Sequence, residues 1–269
     1  MMNVARDVRT LYMHPLFAIV AAGGLAVLTS SGRPPRDEPP DTRYGTSMAL
    51  GDGTARSYVT VDARGVPTAI GIALSENVMT GLQDGHGHHE QVLTFPEEIS
   101  ATPFRHATLH WNPSGHEPVG VYDLPHFDFH FYTIADEARR MMTPEDPQFE
   151  AKAALAPDRE YVPAGYISPP GLVVPLMGNH WVDPTSPELN GSRFTETLIY
   201  GSYDGEVVFV EPMITRAWLA GRPDFTEQLK LPERYPSAGL WPTVWSVRFD
   251  EETKEYRIEL AGLTRREAN

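Results

Sequence analysis

Polar and apolar residues alternate with a period of two through much of the chain, the spacing of half-buried strands. In residues 56–74, RSYVTVDARGVPTAIGIAL, Tyr58, Thr60 and Asp62 alternate with Val59 and Val61. Ala63-Arg64-Gly65 supplies a turn, and Ile70, Ile72 and Leu74 resume the alternation. This predicts a β-hairpin. Residues 197–211, TLIYGSYDGEVVFVE, predict a second hairpin around Asp204-Gly205. A third joins TVWSVRF (243–249) to EYRIEL (255–260) around Asp250-Glu251-Glu252-Thr253. Residues 104–111 and 126–133, rich in aromatic and β-branched side chains, are further strands. Helical spacing is confined to short stretches. These are 134–142, 146–155 with Pro147 in its first turn, and 213–220, stopped by Gly221 and Pro223. The pattern describes a mainly β fold, a sandwich or barrel, with two or three short helices.

One stretch breaks the alternation. Residues 16–28, LFAIVAAGGLAVL, are uniformly apolar, follow Arg6 and Arg9, and lead into Thr29, Ser30, Ser31 and Gly32. A basic start, a short apolar run and a small-residue exit describe a secretory signal peptide. The run falls short of the roughly 20 residues that span a bilayer, so a retained anchor is the second choice. With no cysteine after it, lipid attachment at a lipobox is excluded. Met13 is an alternative start, but it would remove both arginines. Next comes SSGRPPRDEPPDTR, proline-rich and of mixed charge, which reads as a disordered tether. The expected organisation is a signal peptide or anchor over 1–31, a linker over 32–43 and a single β-rich domain over 44–269, exported from the cytoplasm.

Composition adjusts this picture in three ways. The 22 Gly and 25 Pro suit many turns and short strands. The net charge of −14 argues against nucleic acid as a partner and against a peripheral grip on anionic lipid. The absence of Cys excludes disulfides, thiolate nucleophiles and cysteine metal sites.

The candidate chemistry is histidine and carboxylate. Of ten His, six lie between residues 106 and 180. In HFDFHFY, alternation puts His126, Asp128 and His130 on one strand face and Phe127, Phe129 and Phe131 on the other. The Phe row is the expected core face; the polar row faces a cavity, a partner or water. Upstream, His106, Thr108 and His110 share a face. Pairing the two strands with His110 opposite His126 would bring both polar rows together. Imidazole and carboxylate are natural ligands of a divalent transition metal. On a straight strand His126 and His130 sit roughly 13 Å apart, so they do not readily share one ion. A single site would take one or two of this row, His116 from the connecting loop, and His180 or Glu211 from elsewhere. The competing reading of the row is a solvated polar face. His86-Gly87-His88-His89 is a weaker metal tract, by default an exposed loop, and Asn190-Gly191-Ser192 fits a glycosylation sequon. No Gly-rich phosphate loop, GxSxG or HExxH motif is present.

Four segments carry a resemblance: TPFRHATLHWNPSGHEPVGVYDLPHFDFHFY (102–132), VPLMGNHWVDPTSPELNG (174–191), FTETLIYGSYDGEVVFVEPMIT (194–215) and EYRIEL. They resemble uncharacterised bacterial exported proteins grouped around a thermophile protein under sigma-E, envelope-stress-type control. The resemblance runs from about Tyr44 to Leu263 and implies export and a single domain. It implies no activity. Its characteristic positions include His116, His126, Asp128, His130, His180 and Glu211; His110 is less typical.

The expected function is therefore an exported protein with a His/carboxylate metal site, suited to metal-assisted hydrolysis or hydration. Asp128 and Glu211 are the candidate bases. Two other readings stand beside it. One is a non-catalytic envelope or stress protein, including a homo-oligomer. The other is a small-ligand binder walled by Trp111, Tyr132 and Trp181.

Overall fold

The computed structural model describes residues 41–85 and 89–269. The apolar leader, most of the linker, and His86 and His88 lie outside the described residues. The chain begins with β1 (Asp41–Tyr44), β2 (Met48–Leu50), β3 (Gly53–Val61) and β4 (Pro67–Ser75). Then come β5 (His89–Thr94), β6 (His106–Asn112) and β7 (His126–Tyr132), followed by the short helices α1 (Asp136–Arg140) and α2 (Phe149–Ala154). β8 (Val173–Val174), β9 (Gly178–Trp181), β10 (Glu196–Tyr203) and β11 (Glu206–Thr215) precede α3 (Arg216–Leu219). β12 (Asp224–Gln228), β13 (Gly239–Trp241), β14 (Val244–Asp250), β15 (Glu255–Ala261) and β16 (Thr264–Arg266) complete the chain.

These strands form two seven-stranded antiparallel sheets and one small pair, β13 with β16. The first sheet runs β1-β3-β4-β15-β14-β12, with β2 also on β3, and the second runs β5-β6-β7-β11-β10-β9-β8. All three expected hairpins form: β3–β4, β10–β11 and β14–β15. At the β10–β11 turn Asp204 and Gly205 both take positive φ (53° and 79°), the mirror-image turn that matches strand twist. At β14–β15 the Asp250 carboxylate accepts from the amides of Glu252 and Thr253.

The apolar faces of the two sheets meet in one core. Ile70, Ile72, Ile258 and Leu260 of the first sheet join Leu109, Phe127, Phe129 and Phe131 of the second. Each such fully buried side chain contributes roughly 1.5–3 kcal/mol. The Phe row is thus the core face, as expected. The other face of β7 is not open, however: every residue of β6 and β7 is buried. Two smaller apolar clusters cover that outer face, one around Tyr122, Phe194, Ile199 and Met213, the other around Tyr132, Met142, Phe149 and Phe209. The reading of the polar row as a solvated face is therefore overturned.

Three boundaries differ from expectation. The expected linker extends to residue 43, yet Asp41–Tyr44 pairs with β3 as β1. The helix expected over 213–220 shrinks to α3, because Met213 and Ile214 pair with Asp128 and Phe127 and so extend β11. Ladder bonds to β7 override the local helical spacing. Thr215 then caps α3, its Oγ1 accepting from the Trp218 amide. The helices over 134–142 and 146–155 form only as the shorter α1 and α2. Among the described residues no helix is long and apolar enough to cross a membrane.

Candidate metal centre

The site grows from the outer face of β7. β6 pairs with β7 so that Asn112 faces His126, His110 faces Asp128, Thr108 faces His130 and His106 faces Tyr132. The expected register, with His110 opposite His126, is wrong by two residues. A shift of two keeps every side chain on its face, so the two polar rows still meet. In this register Asn112 stays in the ladder and donates from Nδ2 to Asp128 Oδ2 at 2.7 Å. On the other side β11 pairs Val210 with Phe131 and Met213 with Asp128, which sets Glu211 opposite His130. β10 then pairs Ile199 with Glu211 and Gly201 with Phe209, and β9 pairs His180 with Gly201.

This register sorts all the expected ligands into two sets. His116, His126 and Asp128 form one; His130, His180 and Glu211 form the other. Within each set, one ligand atom per residue lies within 4.8 Å of the others, so each set could hold a metal ion. His126 and His130 do not share a site, in keeping with their separation along the strand.

Three of the imidazoles are oriented by main-chain carbonyls. The Nδ1–H groups of His116, His126 and His180 donate to the carbonyl oxygens of Glu117 (2.7 Å), Leu124 (2.6 Å) and Leu172 (2.7 Å). That leaves Nε2 as the inward atom, the arrangement typical of a metal-ligating histidine. His126 Nε2 lies 3.0 Å from Asp128 Oδ1, and His130 Nε2 lies 3.3 Å from Glu211 Oε2. All four of these atoms are buried without a hydrogen-bond partner among the described residues. His180 Nε2 points at the same Glu211 oxygen from 3.8 Å, and His116 Nε2 at Asp128 Oδ2 from 3.6 Å. An imidazole lone pair facing a carboxylate lone pair in a dry site calls for a cation between them, a proton or a metal.

The electrostatics of the two sets differ. Burial disfavours charge on Asp128, but His126 and His116 outweigh it and hold its carboxyl well below the usual range. His116 is the counterpart: burial opposes its charge, yet the hydrogen bond and charge of Asp128 raise it to about 9. In the second set burial wins. It pushes Glu211 up to about 8, with the charge of Asp128 adding to it, and drops His130 to about 4. Burial also lowers His180. Among the described residues no Lys or Arg lies within ion-pair distance of Asp128 or Glu211. The sets share a cavity of about 390 Å³ whose lining includes His116, Asp128, His180 and Glu211.

Sequence reasoning missed what closes the other end of the row. Arg139 of α1, fully buried, grips Glu90 of β5 with two hydrogen bonds of 2.8 and 3.0 Å and Asp136 with a third of 2.8 Å. Glu90 also lies 3.1 Å from His110 Nε2, opposite it in the ladder. Burial works against the Glu90 charge, but His110 and Arg139 hold its pKa at about 2. His106 stacks on Tyr132, and burial drops it to about 4 despite Asp136 nearby. The available signal was Glu90 adjoining a histidine tract and two arginines in the short 134–142 segment. His89, the described part of that tract, opens β5 opposite Trp111 and joins neither set. Trp111, Tyr132 and Trp181 do not wall a common cavity. The two Trp lie in the main core, and Tyr132 packs beside His130. Tyr122 lines the cavity instead, and its hydroxyl donates to Glu188.

A family model described as TTHB210-like, for the hypothetical protein TTHB210, matches residues 62–111. The match spans the β3–β4 turn through Trp111 of β6 and stops short of His116. No curated protein and no solved structure matches the chain.

Proposed function

We propose that this is an exported protein that binds a divalent transition metal ion in each of the two His/carboxylate sets and uses the shared cavity for metal-assisted hydrolysis or hydration. The observation that carries this reading is the opposition of His126 Nε2 to Asp128 Oδ1 and of His130 Nε2 to Glu211 Oε2, both buried and lacking hydrogen-bond partners. A bound metal would polarise a water or a carbonyl in the cavity. The chain's own part is to hold the ligand atoms inward through the carbonyls of Glu117, Leu124 and Leu172. Asp128 and Glu211 supply the negative charge that favours a dication and the carboxylates that could take up a proton. Export is supported by the basic, apolar and small-residue order of the first 32 residues.

A second reading has one observation in its favour. Asp128 already receives Asn112 and lies against His116 and His126, so the first set can be charge-balanced as a structural ion cluster. Elemental analysis of the full chain, purified without a polyhistidine tag, separates the two. Near two equivalents of metal, falling to one in His126→Ala and in His180→Ala, is the expected result. A protein that stays metal-free after incubation with zinc, copper, manganese or iron would establish the structural cluster instead.

A further inference from the structure

The cavity is not polar throughout. Besides its histidines and carboxylates it is lined by Leu172, Val174, Met177, Val182, Ile199 and Met213. A second space of about 500 Å³ adjoins it, sharing Glu117, Pro118, Tyr122, Gly171, Leu172 and Val182, and adds Ile167, Pro169, Pro170 and Leu189. The two thus lie side by side along a shared wall, and each lies in the range of roughly 300–1,000 Å³ usual for small-molecule sites. The surroundings of the mouth are apolar too. Ile167 is 46% exposed, Val174 38% and Val119, next to Pro118, 81%. Exposed apolar side chains gathered beside a built cavity mark a binding surface rather than scattered chance. The protein carries a net charge of −14, which disfavours an anionic visitor at long range.

We propose that the ligand of this centre is a neutral amphiphile, with a compact metal-coordinating head at the His/carboxylate end and an apolar tail of several carbons in the adjoining space lined by Ile167, Pro169, Pro170 and Leu189. The proposal rests on the metal reading above and adds the class of molecule that reaches the metal. The polar end can seat only a small head, because Tyr122, Ile199 and Met213 confine it. The tail replaces water along the prolines and aliphatic side chains, which is where affinity would accumulate.

The test uses the zinc-loaded full-length protein and two probes, acetohydroxamic and octanohydroxamic acid, titrated calorimetrically. They carry the same zinc-binding head and differ by six methylenes. At about fourfold per buried methylene, octanohydroxamate should bind at least a hundredfold more tightly, allowing for incomplete burial. Ile167→Asp and Val174→Asp should bring the octano compound toward the aceto value, with metal content reporting whether the centre persists. Equal affinities for the two probes overturn the proposal while leaving the metal reading intact. So does octanohydroxamate binding that is as strong without zinc. Failure of the protein to load zinc at all removes the metal reading and the proposal together.

Discussion

On the outer face of the first sheet the buried carboxylates meet arginines: Arg56 reaches Glu255 at 2.7 Å and Arg248 reaches Glu259 at 3.0 Å. On the outer face of the second sheet, Asp128 and Glu211 meet imidazoles. The burial is similar; Glu259 is 3% exposed and Glu211 2%. The consequences are not. A guanidinium brings a permanent charge and five donors, so an arginine–carboxylate pair is balanced at any ordinary pH. An imidazole anchored through Nδ1 has one nitrogen left, which either takes a proton or donates its lone pair to a metal. The first face is a fixed ionic lattice. The second has an adjustable occupant. Even there the contrast recurs, because Arg139 locks Glu90 at the end of the row while the centre has only histidine.

Removing one carboxylate from each face tests the comparison most strongly. In metal-free protein near neutral pH, Asp128→Ala removes the counter-charge of His116 and of the fully buried His126 together with the carboxylate that accepts from Asn112, at a cost of about 3–5 kcal/mol. Glu259→Ala frees Arg248, whose side chain is 48% exposed and can turn to water. It should cost less, about 1–3 kcal/mol. Urea unfolding measures both, and equal costs would break the distinction. Next, zinc at a hundred times its dissociation constant should stabilise the wild type by about 2.7 kcal/mol per site. The melting temperature should rise accordingly, and much less in His126→Ala.

Acid should then separate the two faces. The His106 pKa sits at about 4 in the folded chain against 6.5 for the free side chain. The unfolded chain therefore binds the proton first as pH falls. The contribution of His106 should be full above pH 6.5 and decline by on the order of 2–3 kcal/mol toward pH 4. His106→Phe should reduce the acid slope without abolishing it, because His130, also dropped to about 4 by burial, keeps its own share. A slope unchanged by that substitution would place the acid sensitivity elsewhere. The smallest effect expected comes from two glycines. A Cβ on Gly201 would meet the Phe209 ring and one on Gly71 the Tyr58 ring, each a close approach that only glycine permits. Gly201→Ala and Gly71→Ala should each cost about 1–3 kcal/mol. Phe209 packs on His130 and His180, so the first substitution should also lower bound metal from two equivalents to one. Gly71→Ala should leave metal content alone.

The hairpins were legible because each is a local event: alternation, a turn residue of the right handedness, and alternation again. Asp204-Gly205 is the clearest case. The shared face of the candidate ligands was legible for the same reason, since HFDFHFY spells out its two faces. Their partition was not. Whether Glu211 meets His130 or Asp128 depends on how β11 docks against β7, far away in the chain, and nothing local encodes that register. The two-residue slip at Asn112 has the same origin: the side-chain amide of Asn112 bonds Asp128 only once the strands have paired. The burial of the polar face was hidden as well. It comes from the connections around Tyr122 and Phe194, whose irregular sequence shows no period.

The three carbonyls that steer His116, His126 and His180 belong to Glu117, Leu124 and Leu172. A carbonyl is common to every amino acid. An alanine scan would therefore pass over these positions as steering groups, while an amide-to-ester replacement of the peptide bond, which weakens the carbonyl as an acceptor, would expose them. The aim of the site is written in the path of its backbone, so its side chains at 117, 124 and 172 can drift without turning a single imidazole.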